Sequence, residues 1–100
     1  MSDMLYRLEA IIADRKQNPQ PDSYTNRLFD KGMNKIAQKV GEESTEVIIA
    51  ALGQGRDEQI GELADLFYHT LVLMAQLDLT LDDVNAELEK RHQPRGSDNG

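Results

Sequence analysis

One hundred residues with 18 acidic and 11 basic side chains give a formal charge of −7, and the chain contains no cysteine. The length fits one domain with a modest core, and the missing cysteines exclude disulfide staples and thiol chemistry. The acidic balance makes duplex nucleic acid and anionic membranes poor partners, so a protein of this charge that handles anions needs a metal ion or a local basic patch.

The opening "MSDMLYRLEA" carries Asp3 and Glu9 and lacks the apolar run of a signal peptide. Met4, Leu5, Leu8, Ile11 and Ile12 follow the i, i+3, i+4, i+7 rule, which predicts an amphipathic helix from Asp3 to about Lys16. "QNPQPDS" breaks it with two prolines. Ser23 is placed to cap a short helix, "YTNRLFD", that stops near Gly32. A long helix from Met33 to about Leu52 is ended by Gly53 and Gly55, and Asp57 opens another that runs to about Gln76. Thr80 with Asp83 resembles a capping box before "LDDVNAELEKRH". The polar "QPRGSDNG", residues 93–100, has no periodicity and is expected to be a disordered tail after a domain spanning 1–92. The class is therefore all-α, with about five helices. The longest near-apolar run, Leu63 to Ala75, is interrupted by Asp65, His69 and Thr70 and is too short for a bilayer. A soluble cytoplasmic protein is expected.

Two helices do not fit a bland bundle. On a wheel of about 100° per residue, Glu58, Glu62, Asp65, His69 and Gln76 share a sector of roughly 60°. The rest of that helix is almost wholly apolar, as in a buried helix, so its narrow polar stripe is expected to face a polar cavity. A chain this small has few ways to cover such a helix, which points to a second copy related by two-fold symmetry. In the preceding helix, Lys35, Lys39, Glu42 and Glu46 share one sector, while Glu43 falls among Ile36, Val40, Val47 and Ala50. An unpaired carboxylate there costs several kcal/mol, roughly, or takes up a proton.

Ordinary surface pairs such as Lys39 with Glu43 are worth only tenths of a kcal/mol, roughly, and explain any one of these acids, but not the set. Glu43 with Glu46, and Glu62 with Asp65, are i, i+3 pairs on two helices separated by a short glycine-containing turn. Antiparallel packing brings them together, with Glu42 beside them. Oxygen ligands without cysteine, and at most one histidine, suit magnesium, with manganese as a possible substitute. Lys35 and Lys39, one turn N-terminal to the acids, are placed either for salt bridges or for holding phosphates. His69 reads equally as a hydrogen-bonded supporting residue or as a substrate contact, and Tyr24 and Tyr68 as apolar packing with a hydroxyl at the edge.

"EESTE", Glu42 to Glu46, then fifteen residues, then "ELAD", Glu62 to Asp65, resembles the EExxE…ExxD pattern of the MazG-like all-α nucleotide pyrophosphatases. The wider text, with "KVGEE", "ADLFYH" and "ELEKRH", is similar to the phosphoribosyl-ATP pyrophosphohydrolase family over about residues 3–92. With no segment to supply the next step's cyclohydrolase, the stand-alone form is expected. The resemblance implies a helical homodimer with a four-helix core, magnesium dependence, and cleavage of the α–β phosphoanhydride of phosphoribosyl-ATP in histidine biosynthesis. The expected ligands are Glu43, Glu46, Glu62 and Asp65. Glu42 is the best candidate for an outer ligand or for the base that orients the attacking water, though sequence alone leaves Glu42, Glu43 and Glu46 interchangeable. Lys35 and Lys39 would hold phosphate oxygens, with His69 and Arg91 as further substrate contacts, Arg91 across the dimer. The competing expectation is a house-cleaning pyrophosphatase acting on (d)NTPs.

Overall fold

A computed structural model describes residues 3–93. Five helices follow one another: α1 (Met4–Gln17), α2 (Tyr24–Lys31), α3 (Met33–Gly53), α4 (Arg56–Gln76) and α5 (Leu81–Arg91), with no strand among the described residues. The expected tail lies outside the described residues from position 94 onward.

Local signals set most boundaries. Ser23 accepts the Asn26 backbone N–H at 3.1 Å and so begins α2. The Thr80–Asp83 capping box is reciprocal, with bonds of 3.1 and 2.9 Å. Gly32 joins α2 to α3 at φ 89°, ψ −177°, a conformation that side chains with a Cβ resist. The start of α4 departs slightly from expectation. Gly55, not Asp57, sits at the N-cap and provides no side-chain bond. Gln59 does the joining there, donating from Nε2 to the carbonyls of Ala50 (3.1 Å) and Gln54 (3.0 Å). It thereby adds a second donor to the Ala50 carbonyl, which already accepts the Gln54 backbone N–H, and supplies one to the Gln54 carbonyl just past α3.

α3 and α4, each 21 residues, are joined by two residues and pack along each other as an antiparallel hairpin. α2 lies on α3, and α1 spans α2 and α4. α5 is tied to α1, where Tyr6 donates to Asp82 (2.9 Å) and Glu9 accepts the Leu81 backbone N–H (2.7 Å). Lys16 closes the far end of α4 by donating to the Ala75 carbonyl at 2.8 Å. The core gathers Ile12, Leu28, Ile36, Leu71, Val72 and Met74. Fully burying a side chain of this kind contributes about 1.5–3 kcal/mol.

Burial is uneven along the hairpin. In α4 the buried residues, His69, Leu71, Val72 and Met74, all lie in the C-terminal half. Toward the hairpin tip, Ile60 and Leu63 of α4 and Ile48, Ile49 and Leu52 of α3 are exposed, as is Phe67 near the middle of α4. One chain therefore covers only part of the helix whose sequence asks to be buried nearly all round. Phe67 also borders an apolar groove of about 220 Å³ shared with Leu5, Met74, Leu81 and Val84.

Candidate active site

The antiparallel hairpin faces two acid-bearing turns toward each other. Carboxylate oxygens of Glu43 from α3 and of Glu62 and Asp65 from α4 lie within 4.8 Å of one another. Glu43 is the most enclosed acid in the recorded ion pairs, with its side chain 13% exposed, as its place on the apolar side of α3 predicts. Glu46 stands outside this tight group and is exposed, but its charge reaches Glu62. The Glu62 carboxyl is raised above the ordinary glutamate range, first by desolvation and then by the charges of Glu46, Asp65 and Glu43.

That shift has a definite sign. A carboxyl raised in the folded state favours folding while protonated, and the contribution is lost as pH rises through the raised value. In metal-free solution near neutrality, wild type is therefore expected to melt below Glu62→Gln. The gap should close as the pH falls toward the ordinary glutamate range. A gap that stays constant in thermal melts across that window would show that Glu62 feels no such repulsion.

Lys39 stands at the N-terminal edge of the cluster. Its Nζ lies 3.3 Å from Glu42 and 3.7 Å from Glu43, so the surface pair that sequence allows is present alongside the cluster. Partial burial works to lower the Lys39 pKa. The hydrogen bond to Glu42 and the fields of Tyr24, Glu42 and Glu43 outweigh it and leave the group raised, hence firmly cationic. Glu42 also accepts from Gln38 Nε2 at 2.7 Å. That bond first, and Lys39 second, hold its carboxyl below the usual range. Such a carboxylate is a weak proton acceptor but a good anchor for a hydrogen-bond donor, including a water. Lys35 is half-buried one turn before Lys39 on the same helix.

His69 is buried, at 6% exposure. Its Nδ1 bonds the Asp65 carbonyl oxygen at 2.8 Å and its Nε2 meets the Tyr24 hydroxyl at 3.0 Å. Both ring nitrogens thus have protein partners. Arg91, at the end of α5, holds Glu87 at 3.0 Å. It lies on α5, which hydrogen bonds tie to α1, and the acidic cluster forms without it. Tyr24 and Tyr68 pack on each other with their hydroxyls at the edge, and each hydroxyl has a side-chain partner. Tyr68 pairs with Thr25 and stacks on Tyr24 at a centroid distance of 6.2 Å. Their partners lie more than forty positions away, where helical periodicity carries no signal.

The donor set fits a hard divalent cation. Three carboxylates converge from two helices with no sulfur or imidazole among them, and like charges so close favour a positive partner or a retained proton.

Residues 5–92 match the family described as phosphoribosyl-ATP pyrophosphohydrolase. The chain belongs to the phosphoribosyl-ATP pyrophosphohydrolase family. Among curated relatives, the phosphoribosyl-ATP pyrophosphatase of Clostridium novyi is 46% identical over 95% of this chain and 86% of its own length. That of Methanocella arvoryzae is 46% identical over 93% of this chain and all of its own. The histidine biosynthesis bifunctional protein HisIE of Caldanaerobacter subterraneus is 47% identical over 91% of this chain, a match covering 44% of that larger protein. The matched region of this phosphoribosyl-ATP pyrophosphohydrolase family member takes in the whole α3–α4 hairpin with its acids and lysines.

Proposed function

We propose that this chain hydrolyses the α–β phosphoanhydride of phosphoribosyl-ATP, adding water and releasing phosphoribosyl-AMP and pyrophosphate, with magnesium as cofactor. The observation that carries this reading is the convergence of Glu43, Glu62 and Asp65 beside Lys39, in a chain of this family. Glu46 joins them as a fourth acid, acting on Glu62 through its charge. A bound divalent ion would supply the positive charge that lets a triphosphate share a groove with these acids and would polarise the phosphoryl group under attack. Lys39 and, one turn away, Lys35 take phosphate oxygens as point charges. Glu42, ionised and anchored by Gln38, orients water by accepting its hydrogen. Pyrophosphate release from phosphoribosyl-ATP, with magnesium and with EDTA, tests the reading. A large preference for dNTPs over phosphoribosyl-ATP would reverse it in favour of a house-cleaning enzyme.

The working form is a homodimer. Exposed Ile60, Leu63 and Phe67 lie across α4 from the acidic stripe, so a second copy seated on them buries the apolar face and leaves the acids free for substrate. Arg91 is kept as a candidate phosphate contact supplied across that dimer. The remaining partner is the nucleotide itself. No helix among the described residues is long and apolar enough to cross a membrane.

Lys39→Ala is expected to raise KM about tenfold, the scale of one charge-assisted contact to phosphate. The stabilisation of the fold by magnesium should persist in that variant. Equal loss of magnesium stabilisation in thermal melts would assign Lys39 to the acids alone.

A further inference from the structure

Tyr24 sits at the start of α2, 40% exposed, where its field reaches Lys39. Arg27 lies over its ring at 5.6 Å and Tyr68 stacks against it, so the protein itself engages the aromatic surface. The hydroxyl is then the part left to meet a ligand. Its proton is already directed. The Asp65 carbonyl can only accept, so the ring proton of His69 resides on Nδ1. With one ring proton, Nε2 is an acceptor, and the Tyr24 hydroxyl donates to it at 3.0 Å. A phenol whose proton is held inward presents only lone pairs outward. It accepts a hydrogen bond and cannot donate one to a phosphate oxygen.

We propose that Tyr24, oriented by His69, is a specificity-determining residue that accepts a hydrogen bond from a sugar hydroxyl of the nucleotide. The proposal rests on the reading given under Proposed function. His69 is a positioning residue in this scheme. It links Tyr24 to the carbonyl of Asp65, so that the sugar contact and one cluster acid are held by the same turn of α4. Phosphates held by Lys39 place the attached sugar within reach of a neighbouring acceptor, whereas a phosphate there would meet a lone pair and be repelled.

The test compares wild type, Tyr24→Phe, His69→Phe and the double variant, in KM and kcat for phosphoribosyl-ATP and in calorimetric Kd for phosphoribosyl-AMP. Tyr24→Phe should raise KM and Kd about three- to tenfold, the scale of one hydrogen bond, with kcat within about twofold. His69→Phe should have a similar effect, and the double variant should be no worse than Tyr24→Phe, because both substitutions remove one contact. Unchanged KM and Kd, with only a lower Tm, would overturn the proposal. Fully additive losses would overturn the role of His69 as its orienter. Should wild type release no pyrophosphate, the hydrolase reading falls, while the Kd comparison still decides Tyr24. Should it bind neither nucleotide, both fall.

Discussion

Glu43→Gln is expected to abolish pyrophosphate release and to leave the fold intact. The amide keeps the shape of the side chain but removes a half-buried charge of the cluster. A loss in kcat of at least about a hundredfold follows if that charge helps balance the transition state. Stability provides an independent readout. Binding only the native site, magnesium at about a hundred times its Kd stabilises by about 2.7 kcal/mol. In Glu43→Gln this gain should shrink, while the melting temperature in EDTA stays equal or rises as repulsion from Glu62 and Asp65 is relieved. Lys39 retains its nearer partner, Glu42, at 3.3 Å, so the variant does not strand a cation. Thermal melts of both proteins, with EDTA or with magnesium, decide the matter. A variant clearly less stable than wild type in EDTA would make Glu43 an ordinary ion-pair partner of Lys39.

The second large effect concerns association. Wild type at micromolar concentration should sediment at twice the chain mass, and Phe67→Glu should sediment as the single chain. Phe67 is 48% exposed in one chain, next to Ile60 and Leu63 on the same side of α4. Burying an unpaired carboxylate against a second copy costs several kcal/mol, roughly, enough to weaken the dimer by more than about a hundredfold. In the isolated chain the same residue faces water, so the fold tolerates it. A wild-type protein that is a compact, stable monomer would refute the reading of the apolar face.

The sequence carried the helix order because its signals are local. Ser23 and the Thr80–Asp83 pair act within three residues of themselves, and periodicity separates helix faces without knowledge of neighbours. The α3–α4 hairpin was legible for a related reason: a short turn between two long helices leaves them little choice but to pack antiparallel. That hairpin in turn located Glu43, Glu62 and Asp65. Other features depend on contacts between distant positions. Nothing in the chain marks Gln59 as the residue that ties off the end of α3, or Lys16 as the one that closes α4. The wheel put His69 in the acidic sector, yet its ring turns along the helix to the carbonyl one turn back and to Tyr24, forty-five positions away. Likewise the wheel set Glu43 apart from Glu46, yet the carboxylate motif counted both as ligands, and only side-chain geometry distinguishes an acid inside the tight group from one that acts on it by charge.

The acid-bearing hairpin has an evolutionary consequence. The tight carboxylate group lies wholly between positions 43 and 65, on two helices joined by two residues, and needs no ligand from α1 or α5. Chemistry encoded in one uninterrupted stretch of polypeptide is inherited as a unit. Recombination or gene fusion that joins another catalytic domain to such a chain does not have to preserve a ligand set scattered across it. A match to 91% of this chain makes up 44% of the longer bifunctional relative.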